Sequence, residues 1–576
     1  MNNIFPTNPR IYLWVALGML GLLNYQAWIK DYDGAPQAAI SASAATTATG
    51  ASRPAATLPG GDLASRVPQA ATAASSPAVS VVTAAPPVAA ADPSVVAAAP
   101  NVHVVTDVLD VEISTRGGTL ERVDLPAYAQ VKGQAARVRL ENNDSDATLY
   151  QLQSGLTGPG NAAGYPTHLA IFSSPQSQYI LTGTELRVPL SWSADGVTVT
   201  KTFVFHQGQY AIGLDYEVHN GGAAPWAASA YAQILRNDPP TKRSMFNVDS
   251  YAFHGPALHD GVKYRKLDTA ESKDGHLSLD VTSGWVAALQ HHFVSAVVPP
   301  VGAPWHFTLS AAGQQYLLTA TGPAQTVTPG TDARFTQTFF TGPKLQAQLK
   351  ATSPELGRVA DYGALWVLAR PLFQLLAWVH GATGNWGIAI IVVTFLLKLA
   401  FYPLSEASGR SMAKMKALQP RIKNLQDTYK DDREKLGKAM MELYQREKIN
   451  PVAGCLPIII QIPVFLAFYW ALLESVEMRQ APFMLWIHDL SARDPLFILP
   501  AIMAVAMFTQ YKLNPAPPDP VQAKVFMFMP LVMSVMFAFF PAGLVLYWVT
   551  NTVLSIAQQW NINRRIAAAT AAKRSN

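Results

Sequence analysis

At 576 residues the chain is too long for one ordinary domain, and 49% hydrophobic against 14% charged residues, with a mean hydropathy of +0.13, points to a membrane protein rather than a solvated or disordered one. Its lone cysteine, Cys455, excludes an intrachain disulfide. The net charge of +5 is modest, but the basic residues cluster, and their positions carry topological information.

Residues 11–29 (IYLWVALGMLGLLNYQAWI) form an apolar run flanked by Arg10 and Lys30, long enough to span a bilayer. A cleavable signal peptide is the competing reading, through Ala42-Ser43-Ala44, but that site lies far beyond the apolar run. Residues 1–30 are therefore expected to be an uncleaved N-terminal transmembrane anchor. Residues 31–101 are mostly Ala, Pro, Ser, Thr and Val, with few large side chains to build a core, and read as a flexible tether.

Residues 102–345 carry strand signatures. ISTRGGTLERVDL (113–125) sets a Gly-Gly turn between two extended runs, and VTVTKTFVF (197–205) alternates after Asp195-Gly196. Ile212, Leu214, Tyr216 and Val218 alternate up to Asn220-Gly221, the strongest hairpin signal in the segment. The expected fold is a large antiparallel β-sandwich. His291 and His292 are adjacent, so in a strand they would face opposite sides and make a poor metal pair, and they read as surface or core histidines.

The stretch 346–384 changes character. Val359, Tyr362, Leu365, Trp366, Ala369, Leu372, Phe373 and Leu376 fall at helical spacing, Arg358 and Arg370 interrupt them, and Trp366 and Trp378 suit an interface. This predicts an amphipathic helix lying on the membrane, kinked at Pro371, with an additional span as the alternative.

Four hydrophobic regions follow, at 386–404, 452–473, 495–511 and 525–560, the last long enough for two short spans turning near Pro541-Ala542-Gly543. With the anchor this predicts a multi-span α-helical membrane protein of six transmembrane helices, five of them forming a core over 385–563. Eleven Lys and Arg fall in 405–450, two in 512–524 and four in the basic tail 564–576, whereas 474–494 offers Arg479 and Arg493. Both termini and the 405–450 loop are then cytoplasmic, and the β domain is periplasmic in a bacterial inner membrane.

Lys398, in TFLLKLAFYPL (394–404), is the charge that needs explaining, because an intramembrane ammonium costs about 2.5–3.5 kcal/mol on insertion scales. At a rise of about 1.5 Å per residue it lies roughly 9 Å inside Leu404 and about 18 Å from Trp386. It either stretches to the nearer headgroups or serves a wet pocket. Thr394, Lys398 and Tyr402 share a face at i, i+4, i+8; Tyr547, Asn551, Ser555 and Gln559 repeat that spacing; and the 452–473 span contains Cys455, Pro457, Gln461 and Pro463. Polar stripes on several spans fit interhelical hydrogen bonds or a hydrated cavity, and the unpaired charge favours the cavity. The 405–450 loop reads as two helices around Asp431-Asp432. Their apolar seams are Met412, Met415, Leu418, Ile422 and Leu425 against Leu436, Met440, Leu443 and Tyr444, forming either a solvated hairpin or a basic docking arm.

GNWGIAIIVVTFLLKLAFYPL, SMAKMKALQPRI, INPVAGCLPIIIQIPVFLAFYWAL, VEMRQAPFMLWIHDLSARDP and FPAGLVLYWVTN together cover nearly all of 384–563 and resemble the YidC/Oxa/Alb family of membrane-protein insertases. TDVLDVEISTRGG and SGWVAALQ resemble the exported domain of its Gram-negative members. The resemblance implies five core spans around a hydrophilic groove open to cytoplasm and lipid and closed to the periplasm. Lys398 stands where the family usually has arginine, and Thr394, Gln461, Ile462, Pro463, Tyr547 and Trp548 match its substrate-lining positions. The implied partners are nascent membrane proteins and the Sec translocon (SecYEG and SecDF). A ribosome or signal-recognition machinery at the hairpin and tail, and membrane lipids, complete the set. No cofactor, metal or specific nucleic acid is expected, and no covalent chemistry or nucleotide hydrolysis; no G-x-x-x-x-G-K-[ST] occurs, Gly437-Lys438 lacking the rest of it. A secondary transporter would predict inverted broken-helix halves with intramembrane carboxylates. An enzyme or sugar-binding module in the β domain is the other alternative.

Overall fold

The computed structural model describes residues 63–69, 100–159, 164–238, 252–269, 277–360, 362–429, 432–447, 456–513 and 520–575. The expected anchor (1–30), most of the tether, Asp431 and Cys455 lie outside the described residues.

Two sheets face each other over one apolar core. The 11-stranded sheet runs Ser278–Val281, Trp305–Ala312, Gln315–Thr321, Trp226–Asn237, Tyr150–Thr157, Thr119–Ala129, Asp110–Ser114, Asn101–Val105 and Gln178–Ile180, with two short strands off this path. The 8-stranded sheet runs Tyr264–Lys266, Gly255–His259, Trp285–Leu289, Phe293–Val298, Asp332–Pro343, Ala211–Asn220, Val197–His206 and Glu185–Ala194. Pairing is antiparallel except between Asn101–Val105 and Gln178–Ile180. Alternating residues such as Ile212, Leu214, Tyr216 and Val218 fill the space between the sheets, as period-2 patterning requires.

Asp195 (φ 52°) and Gly196 (φ 80°) make the tight turn between Glu185–Ala194 and Val197–His206, the conformation a two-residue hairpin needs. Asn220-Gly221 does not. Neither residue has positive φ, and the chain leaves the 8-stranded sheet here to enter the other through Trp226–Asn237. The Asn220 amide instead donates to Ala224 O and Val327 O, both at 2.9 Å, and its Oδ1 accepts from Gly222 N. The side chain thus holds a crossover, not a hairpin. His291 and His292 lie outside the strands. They sit in the turn before Phe293–Val298, so their rings stack at 3.8 Å instead of opposing one another.

The helical part begins with α1 (Gln346–Thr352) and two single 3-10 turns, so the helix expected over 346–384 is divided; its amphipathic portion is α2 (Trp366–Thr383), which continues through Pro371. There follow α3 (Trp386–Ala400), α4 (Tyr402–Ala417), α5 (Gln419–Thr428), α6 (Arg433–Arg446), α7 (Leu456–Leu473), α8 (Ile498–Leu513), α9 (Pro520–Phe537) and α10 (Ala542–Ser575). Among the described residues no single helix is long and apolar enough to cross a membrane; α3 and the start of α4 reach that length together, bent by 62°. Pro403 explains the bend: it has no N–H for the Leu399 carbonyl, so it closes α3 and fits the first turn of α4. The 525–560 region breaks between α9 and α10, at the expected Pro541. The helices expose Phe395, Leu399, Val505, Phe526, Phe528, Leu531, Val532 and Val535, an apolar surface suited to lipid rather than water. The arms of the hairpin meet through Leu418, Ile422 and Tyr444, flanked by Met415, Met440 and Leu443, with Arg421 and Glu447 paired at 2.6 Å.

Candidate functional site

The start of α3 shows why its opening residues are Asn-Trp-Gly. Asn385 caps the helix, accepting from Ile388 N at 3.1 Å, while its amide donates to Phe483 O at 2.7 Å. Trp386 stacks on His380 at 4.0 Å. At Gly387 an added Cβ would stand 2.1 Å from the Phe483 ring, so glycine is what lets the 474–497 loop settle on the helix. Asp489 Oδ1 accepts from Gln480 N and Ser491 N, and Asp494 accepts from Leu496 N, Leu499 N and Trp486 Nε1, giving this loop a hydrogen-bonded frame. Ala542 N donates to Ala492 O and Gly543 N to Leu490 O at the start of α10. One end of the helical cluster is thereby closed.

Toward the other end of α3 lies a partly open recess lined by Thr394, Leu397, Lys398, Phe401, Leu404, Ser405, Gln461, Val464, Tyr547 and Asn551. It is built from α3, α4, α7 and α10. Lys398 Nζ does not run outward along its helix; it donates to Ser555 Oγ on α10 at 2.8 Å, and Ser555 Oγ donates to Asn551 O at 2.7 Å. Gln461 Nε2 on α7 donates to Asn551 Oδ1 at 2.6 Å. A lysine ammonium has three N–H groups, and among the described residues one has a side-chain partner and no carboxylate lies at ion-pair distance. Thr394 is buried and its hydroxyl donates back to Ile390 O at 2.6 Å, so it shapes the wall more than it offers a donor. Tyr547 is buried, stacks with the Phe465 and Phe468 rings of α7 and lines the recess.

Of the ten residues expected to form the groove, Thr394, Lys398, Gln461, Tyr547 and Asn551 line the recess, and Ser555 joins it through Lys398. Tyr402 does not: the break at Phe401 puts it on α4, off the face it was expected to share with Thr394 and Lys398. Ile462 and Pro463 sit on α7 beside Gln461 but outside the lining. Trp548 packs edge-on against Phe465 at 4.6 Å and near Phe537 at 5.0 Å, a packing role between α7, α9 and α10. Leu397, Phe401, Leu404, Ser405 and Val464 were missed. For Leu404 and Ser405 the signal was Pro403, at the bend from which α4 starts beside the recess, and Leu397 and Val464 lie one helical turn beyond Thr394 and Gln461. Among the described residues no group of three His, Cys, Asp or Glu side chains could hold a metal.

The closed end also joins the β domain. Arg479 Nη2 donates to Ala129 O at 2.7 Å and lies over the Phe293 ring at 5.5 Å, and Gln480 Nε2 donates to Ala129 O at 2.9 Å. Lys132 Nζ donates to Gln480 O at 2.6 Å and also to His488 O, and His291 Nε2 lies 3.1 Å from Leu473 O. Burial in this junction pushes the Glu477 carboxyl up to about 7.

The family described as "60Kd inner membrane protein" matches residues 378–569, and that described as "YidC periplasmic domain" matches residues 101–375. "Membrane protein insertase YidC" of Thioalkalivibrio sulfidiphilus (strain HL-EbGR7) is 46% identical over 578 residues, 98% of this chain and 99% of that protein. The protein of the same description from Pseudomonas fluorescens (strain SBW25) is 46% identical over 475 residues, 82% of this chain and 85% of that one. The solved "Active YidC insertase crystal structure with the first transmembrane domain resolved" covers 80% of this chain and 92% of its own, at 18% identity and a TM-score of 0.36.

Proposed function

This chain belongs to the YidC family of membrane-protein insertases, and from that membership we propose that the Lys398 recess is the groove through which client segments enter the bilayer. The protein belongs to the inner membrane, carries a periplasmic β-sandwich domain and acts on membrane proteins. In the proposed arrangement six spans cross the bilayer, both termini and the α5–α6 hairpin are cytoplasmic, and the recess opens to cytoplasm and lipid.

The observation that carries this reading is the inward turn of Lys398 onto Ser555 beside the Gln461–Asn551 pair. A cation held by one hydroxyl, with spare N–H groups beside a polar wall, suits an acidic or polar client tail and main-chain carbonyls. Such a site lowers the cost of bringing polar groups to membrane depth, where each unsatisfied one costs several kcal/mol. The exposed apolar faces of α8 and α9 offer the client side chains a route into lipid. Burial of about 20 apolar residues then drives release, without nucleotide or covalent chemistry. Sec translocon components would cooperate on larger clients, and the basic hairpin and tail would receive a ribosome, targeting factor or anionic lipid.

The test is purified protein in liposomes with a small single-span client bearing an acidic tail. Lys398→Glu is expected to abolish insertion, Lys398→Arg to retain it and Lys398→Ala to be intermediate. Equal insertion by all three would remove the charge from the mechanism.

A further inference from the structure

A short piece of the Ala- and Pro-rich stretch, residues 63–69, crosses the outer face of the 11-stranded sheet, the face turned away from the sandwich core. Leu63 is buried against Leu235 and Leu317, with Ala64 and Leu149 at the edge of the contact. Beyond it, three alternate carbonyls meet three side chains of the sheet domain. Ala64 O lies 3.0 Å from His168 Nε2, Arg66 O accepts from Gln233 Nε2 at 3.3 Å, and Pro68 O accepts from Thr157 Oγ1 at 2.8 Å. Arg66 Nη1 adds a bond to Ser310 Oγ at 3.0 Å.

The receiving side is organised for this. The Tyr231 hydroxyl accepts from His168 N at 2.9 Å and stands 2.7 Å from His168 Nδ1, so it donates to that ring nitrogen and leaves Nε2–H directed at Ala64 O. Burial pushes the His168 pKa down to about 4, consistent with this neutral tautomer. Gln233 is oriented by a 2.5 Å bond to Gln153, whose amide in turn donates to Gln151. Side-chain donors that read every second main-chain carbonyl, next to one leucine pocket, are the chemistry of extended-peptide recognition.

We propose that this outer sheet face is a peptide-binding site and that its resident ligand is the chain's own segment Leu63–Gln69. Docking clips the tether to the periplasmic domain. The path from the N-terminal apolar run to that domain is then set by residues 31–62 rather than by everything up to Asn101. The inference is independent of the groove mechanism.

The sequence supplies a direct test. Between residues 31 and 101 the only basic residues are Arg53 and Arg66, and Arg53 precedes Pro54, which blocks trypsin; Arg66–Val67 is thus the single tryptic bond of the stretch. An Ala74→Arg substitution adds a reference site in the same chain. In the full-length reconstituted protein, trypsin should cut after Arg66 about tenfold or more slowly than after position 74, relative to the ratio in a synthetic peptide spanning 58–80 with the same substitution. Adding Leu63→Asp, which alters only the docked segment, should bring the two rates to the peptide ratio. Cleavage at Arg66 in the Ala74→Arg protein at the peptide ratio, or protection that survives Leu63→Asp, would overturn the proposal.

Discussion

Two lysines, one in each half of the molecule, are withdrawn from solvent in opposite ways. In the β domain, Lys201 is wholly buried. Its Nζ donates among Gly117 O (2.7 Å), Gly118 O (2.9 Å), Ser154 O (3.1 Å) and Ser154 Oγ (2.9 Å), and it faces the rings of Phe172, Phe203 and Tyr216. Burial alone pushes its pKa well below the ordinary lysine value; the cage of acceptors and ring faces works against that, because every N–H of an ammonium is matched there. Lys398 among the helices has Ser555 and an open recess. A charge whose donors are all taken is a structural tie, while one held by a single hydroxyl beside an opening is available to something else.

The largest effect expected from this contrast is at Lys201. Lys201→Met strands four acceptors in a dry core and should destabilise the periplasmic domain by about 3–5 kcal/mol, read from denaturant unfolding of the full chain. Lys398→Met should cost about 1 kcal/mol or less yet lower insertion of an acidic-tailed client to the intermediate level expected of Lys398→Ala. Similar stability losses at the two sites would erase the distinction.

The next effect sharpens the picture of the β domain as the dry half. Burial pushes Glu141 up to about 7 although Thr341 Oγ1 donates to it. The folded state therefore keeps a proton that the unfolded chain sheds above about 4.5, so this group's contribution falls as pH rises from about 4.5 to 7. Neutral His168 acts in the opposite direction over much of that window. The informative quantity is accordingly the stability difference between wild type and Glu141→Gln at pH 5 and pH 8. It should shift against wild type at the higher pH by up to roughly 3 kcal/mol, and a pH-independent difference would count against the buried acid.

Smaller effects belong to the helical half. Gly387→Val should cost about 1–3 kcal/mol through its clash with Phe483 and raise hydrogen exchange over 474–494, loosening the closed end. Ser555→Ala should change stability by less than about 1 kcal/mol. By releasing Lys398 it should leave insertion of the acidic-tailed client near wild type; a loss as deep as that of Lys398→Glu would make the serine, not the cation, the working group.

Much of this was readable along the chain, because strand alternation, the Asp195-Gly196 turn and the hairpin seams are local signals. Asn220-Gly221 misled because the same dipeptide that favours a hairpin also serves a crossover when the asparagine amide finds carbonyls at Ala224 and, far away in sequence, Val327. Tyr402 misled because helical spacing was carried through Pro403, where the ladder of hydrogen bonds has to break. His291 and His292 would oppose one another only in a strand; they lie in a turn, where their rings stack.

Residue order thus decided the kinds of element, the two-part organisation and the presence of a cation in an apolar stretch. These depend on interactions within a few residues. Packing alone decided that Lys398 would meet Ser555, that Gln461 would meet Asn551 and that residues 63–69 would lie on Leu235 and Leu317. Those partners are separated by about a hundred residues or more, and their meeting depends on how helices and sheets fill space against one another, which no local pattern encodes.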